Sequence, residues 1–126
     1  MATDITYREL QKAVTDLGKQ VVRASEAIRA RAQTILDEAR DTARVADGIA
    51  ALGVDQATVA ETTSLARLMD GLSDSARAYA SAADTTARSA QAAHHQNQAS
   101  HGGIAEAVSR SQVDVTRLDR EWLRQE

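Results

Sequence analysis

No proline interrupts any of the 126 residues. Proline inside a helix removes a backbone donor and clashes with the preceding turn, so its absence leaves helices free to run very long. Apolar residues recur at alternating spacings of three and four: Tyr7, Leu10, Val14, Leu17, Val21, Ala24 and Ile28, resuming at Ile35, Val45, Ile49 and Leu52. That alternation is the seam of a heptad repeat. Arg31 and Glu38 interrupt it, and the apolar face is expected to slide there onto Ala32, Leu36, Ala39, Ala43 and Ala46. A helix of 3.6 residues per turn drifts in this way against a 3.5-residue repeat. The two charged residues then sit at the seam's edge, stems packed and heads in water.

The helix ends are marked as clearly. Thr6 and Glu9 have capping-box spacing, and Ile5 and Leu10 flank them as a hydrophobic staple. At the other end, Gly53 suits the left-handed residue that closes a helix. Asp55 suits the N-cap of the next helix, with Thr58 and Glu61 offering a competing capping box. The spacing predicts one helix over about 6–47, a turn over 48–55 and a second helix over about 56–101. The second helix presents Val59, Ala66, Met69, Leu72, Ala76, Ala80, Ala83, Ala87 and Ala90 inward. Alanine at almost every inward position lets two helices approach closely, near the lower end of the usual spacing.

Folding back about Gly53 places Asp4 beside Gly102, so Gly102 and Gly103 fall where the first helix runs out of partner. These two glycines are read as a hinge. Beyond them Ile104, Val108, Val115, Leu118 and Trp122 form another apolar stripe, broken by Ser111, over a third helix of about 104–124. A lone amphipathic helix of that length is only marginally stable. It therefore either folds back onto the hairpin or packs on another subunit, and its stripe is the candidate interaction surface. Only 2% of residues are aromatic, and much of the 43% apolar content is alanine, which hides little area. The expected fold is all-α and single-domain over 1–126: a long antiparallel helical hairpin plus a C-terminal third helix, forming an oligomeric bundle or coiled coil, with a homo-oligomer as the expected partner state.

The chemistry that the composition excludes is broad. Net charge is −3, and residues 1–54 hold eight basic and eight acidic side chains, so no basic face is available to neutralise phosphates. Direct nucleic-acid binding is not expected. No apolar run approaches a membrane span, the start lacks a signal peptide's regions, and the absence of cysteine fits a reducing cytoplasm. There is no phosphate-binding glycine loop followed by Lys-Ser/Thr, and no glutamate stands three residues before a histidine as carboxylate-bridged metal bundles require. The chain reads as a non-enzyme without cofactors.

All three histidines fall in AHHQNQASHGG, Ala93 to Gly103. His94 and His101 are seven residues apart, on one face but about 10 Å from each other along a helix. Extending the alanine rows by sevens places His94, Asn97 and His101 on the inward seam, with His95 pointing away. Three roles are compatible with that placement. They are a partly solvated polar layer that fixes register, a pH-sensitive contact between subunits, and an intersubunit metal site on His94 and His101 that lacks a carboxylate or thiolate to complete it.

Several stretches, among them Ile5-Thr6-Tyr7-Arg8, Asp41-Thr42-Ala43-Arg44-Val45-Ala46, Met69-Asp70-Gly71-Leu72-Ser73 and Ala99-Ser100-His101-Gly102-Gly103-Ile104, resemble small helical proteins of Streptomyces and related actinobacteria. These are often labelled conjugal transfer protein, with the name TraB attached. The chain has neither the length nor the nucleotide loop of the FtsK-like ATPase that shares this name. The resemblance implies a plasmid or mobile-element setting, and an accessory protein acting through helix–helix contacts. It carries over no catalytic residues. Two other readings compete: a secreted helical-hairpin substrate of the WXG100 type, and a bundle that senses pH or a ligand in its seam. Against the first, Leu52-Gly53-Val54 lacks a Trp-x-Gly turn, and Tyr79 is followed four residues later by Ala83 instead of an acid.

Overall fold

A computed structural model of the chain describes residues 6–111. It consists of two α-helices, α1 (Tyr7–Ala51) and α2 (Gln56–Arg110), with no strand among the described residues. The start of α1 is the capping box read from the sequence. Glu9 N–H donates to Thr6 Oγ1 at 3.3 Å, and Thr6 N–H donates back to Glu9 Oε2 at 2.9 Å.

The turn is sharper than the sequence suggests, because Gly48 is helical and α1 continues to Ala51. Gly53 sets the stop, with φ at 78°, a value that L side chains rarely adopt. Around it Val54 N–H donates to Ile49 O and Gly53 N–H to Ala50 O, each at 3.1 Å, the paired bonds of a Schellman motif. Asp55 then caps α2, its Oδ1 accepting from Thr58 N–H at 2.9 Å and its Oδ2 from the Thr58 hydroxyl at 2.7 Å. The Thr58 hydroxyl is thereby engaged, which settles the choice between the two caps in favour of Asp55.

The expected break at Gly102–Gly103 is not a helix boundary. α2 runs through both glycines to Arg110. Each glycine costs about 1 kcal/mol relative to alanine in a helix interior. Ending one helix and starting another would orphan four carbonyls and four N–H groups, a larger penalty. The residues assigned to the start of a third helix, Ile104 and Val108, therefore belong to α2. Val115, Leu118 and Trp122 lie outside the described residues.

Burial along both helices recurs every seven residues. On α1 the buried residues are Gly18, Ser25, Ala32, Ala39 and Ala46; on α2 they are Ala66, Ser73, Ala80, Ala87 and, two heptads on, His101. Half-buried residues sit three positions after these: Val21, Ile28, Ile35, Thr42 and Ile49 on α1. The seam thus runs unbroken, and the expected slide at Arg31 and Glu38 does not occur; both are exposed. Leu10, Leu17 and Ala24, expected in the stripe, are also exposed, Leu10 at 51% and Leu17 at 61%. The reason is steric. Leucine at the line of closest approach would hold the helices apart, whereas glycine, serine and alanine let backbones draw together. The largest fully buried side chains are serines.

The chain divides into two compact units. In the first, Val22–Asp84, α1 and α2 form the closed end of an antiparallel hairpin around the Gly53 turn. Ser73 Oγ crosses the seam and donates to Ala32 O at 2.7 Å. Ser25 Oγ, equally buried, has no hydrogen-bond partner. In the second unit, residues 6–21 lie against residues 85–111. There Gly18 faces Gln91, whose Nε2 would be 3.7 Å from a Cβ at that position.

Candidate functional site

Within Val22–Asp84 the two flanks of the seam are unlike. In a heptad, residues three and four places after each buried position lie on opposite sides of the line of contact. The four-after flank is polar: Arg29 pairs with Asp84, and Arg77 Nη2 donates to Gln33 Oε1 at 2.9 Å beside it. Along the same side an open groove of ≈ 380 Å³ is lined by Leu36, Ala39, Ala43 and Ala66, with Arg40, Arg67 and Asp70 at its rim. Its floor is alanine because the seam is alanine.

The three-after flank is apolar, and the Thr42 hydroxyl against Met69 Sδ at 3.7 Å shows that the α1 and α2 sides of it coincide. Ile28, Ile35, Ile49 and Met69 are only half-buried there. Next to them on the same side stand Val45, Leu65, Leu68, Leu72 and Tyr79, exposed by 52–72%. Together these five expose roughly 600 Å² of largely apolar side chain, at the upper end of what a soluble monomer leaves uncovered. This flank is the candidate interaction surface.

Hydropathy alone hides this flank, because it sets the seam one row too far round. With Leu10 and Leu17 inward, Val45, Leu52 and Leu72 follow them inward. The signal that separates the rows is the series of five small side chains at seven-residue spacing, Gly18, Ser25, Ala32, Ala39 and Ala46, which only a close helix contact requires.

The histidine window lies in the other unit. His101 is buried, and its ring stacks on Tyr7 with centroids 4.5 Å apart and an interplanar angle of 29°. His94 is half-buried, whereas His95 and Asn97 are exposed. The inward row therefore passes through His94, His101 and Val108, and Asn97, expected inward, faces out. No group of three or more His, Asp or Glu side chains among the described residues is placed to hold a metal ion. Gly102 is half-buried and Gly103 exposed, and a Cβ at either would meet nothing within 4 Å. Neither glycine is required by packing. Of the expected contact stripe, Ile104 is 45% exposed and Val108 half-buried.

Two carboxylates have lowered pKa values. The backbone N–H of Thr6, and then its hydroxyl, hold Glu9 below the ordinary value. The backbone N–H of Thr58, followed by its hydroxyl, does the same for Asp55. Both are caps, and their shifts reflect helix initiation rather than a reactive site. No helix among the described residues is long and apolar enough to cross a membrane.

No protein-family model, no curated protein and no solved structure matches this chain.

Proposed function

We propose that the protein is a non-enzymatic helical scaffold that acts through helix–helix contacts. The observation that carries this reading is the inequality of the two flanks: charged side chains pair across one, while the other leaves Leu65, Leu68, Leu72 and Tyr79 uncovered. A seam whose largest fully buried side chains are Ser25 and Ser73 hides little apolar area, so further burial by association adds stability. The resemblance to small actinobacterial conjugal transfer proteins supports a mobile-element setting for that scaffold.

The test is a mating assay with the coding sequence deleted and restored. Transfer frequency falls on deletion, the wild-type sequence restores it, and a variant with Leu65, Leu68 and Leu72 changed to glutamine remains helical but does not restore it. Full restoration by that variant would separate the apolar flank from the function. An unchanged transfer frequency on deletion would remove the conjugal setting.

A further inference from the structure

We infer that the apolar flank of Val22–Asp84 binds a second copy of this chain, in an antiparallel four-helix arrangement whose two-fold axis crosses α1 near Ile35 and α2 near Leu72. The inference rests on the scaffold reading above and names its partner.

Self-complementarity of the α1 row argues for it. Next to the half-buried isoleucines, one exposed row of α1 reads Ala24, Arg31, Glu38 and Val45 at seven-residue spacing. Arg31 and Glu38 are a charged pair in an otherwise apolar row, and neither pairs with another charged group among the described residues. Turned end for end about a point beside Ile35, the row lies on itself with Arg31 opposite Glu38 and Ala24 opposite Val45. The neighbouring half-buried row then sets Ile35 against Ile35 and Ile28 against Thr42. A two-fold interface requires this relation, in which residue i meets j and j meets i.

The exposed row of α2 has the same property independently. Leu65, Leu72 and Tyr79 are spaced by sevens, so a two-fold at Leu72 sets Leu72 on itself and Leu65 opposite Tyr79. The two centres lie at one level of the hairpin. Ser73 reaches Ala32 O and Met69 meets Thr42, contacts that bracket Leu72 on α2 and Ile35 on α1. One axis perpendicular to the helices therefore serves both.

The area is sufficient. Two such flanks, with the half-buried isoleucines and Met69 included, bring together about 1,200 Å², where specific interfaces begin. The opposite flank is less suited to self-association, because ion pairs and hydrogen bonds within the chain already cross it, Arg29 with Asp84 and Arg77 with Gln33.

Sedimentation equilibrium on the full chain at low salt tests the pairing through charge exchange. The wild type is a dimer. Arg31→Glu alone, or Glu38→Arg alone, places like charges across the axis and weakens the dimer at least about tenfold. The double variant Arg31→Glu/Glu38→Arg restores pairing with the signs exchanged and recovers most of that loss. Circular dichroism checks that each variant stays helical, as the exposure of both residues leads one to expect. A wild type that is a dimer but indifferent to the single reversals overturns this interface while leaving a scaffold that associates elsewhere. A wild type that is monomeric up to about 100 µM, an affinity too weak for specific association, overturns the second copy as the occupant.

Discussion

Two serines of one seam test the packing account against each other. Ser73 Oγ is buried and donates across the seam to Ala32 O at 2.7 Å, while Ser25 Oγ is buried with no partner. Both are fully buried, and both become alanine with the loss of a single oxygen. A hydrogen bond that forms contributes about 1 kcal/mol net, and a buried polar group left unsatisfied costs about 1–3 kcal/mol. Alanine is also the better helix former, by up to about 0.5 kcal/mol over serine. Ser73→Ala therefore loses the bond and regains part of it through propensity, a destabilisation of about 0.5 kcal/mol. Ser25→Ala removes a desolvated hydroxyl and gains the same propensity, a stabilisation of about 1.5 kcal/mol. The two substitutions differ by about 2 kcal/mol and have opposite signs, a separation well beyond the error of urea unfolding. The assay is urea denaturation followed at 222 nm, at one fixed protein concentration. Equal effects, or a stabilising Ser73→Ala beside a destabilising Ser25→Ala, would refute this account of the seam.

Glycine substitutions discriminate the turn from the presumed hinge. Gly53→Ala forces an alanine to φ of 78° and destabilises by about 1–2 kcal/mol, whereas Gly102→Ala and Gly103→Ala stabilise by up to about 1 kcal/mol each where the helix is continuous; thermal melts of the three variants check both signs, and destabilisation at 102 or 103 would restore the hinge. Acid unfolding reports the caps. The folded-state pKa values of Glu9 and Asp55 are depressed, so the stability they contribute is complete above the ordinary carboxylate value of about 4 and is lost as pH falls through their lowered values. Asp55→Asn keeps a capping oxygen but does not titrate, so its stability curve against pH is flatter below about pH 4 than that of the wild type. Identical curves would show that Asp55 does not stabilise the helix through its charge.

Much of the architecture was legible because helix ends leave explicit marks. Thr6 with Glu9, Gly53 and Asp55 each satisfy or release specific backbone groups, and those needs act locally. The facing of the helices was less legible, since it depends on how closely the two backbones approach. Hydropathy favoured Leu10 and Leu17 as inward residues, but the backbone approach rewards small side chains at Gly18, Ser25 and Ala32 and turns the leucines out. The same inversion hid the apolar flank on Leu65, Leu72 and Tyr79. At Gly102–Gly103 the local cost of two glycines suggests a break, but helix continuity outweighs it.

The chain has no cysteine, so a single introduced thiol reports directly on the predicted face. Leu72→Cys on the apolar flank, oxidised under mild conditions, gives a covalent dimer of twice the 13.5 kDa chain mass. Asp74→Cys, two residues on and facing the polar side, does not. Equal cross-linking of the two variants, or none at either, would contradict a self-associating apolar flank.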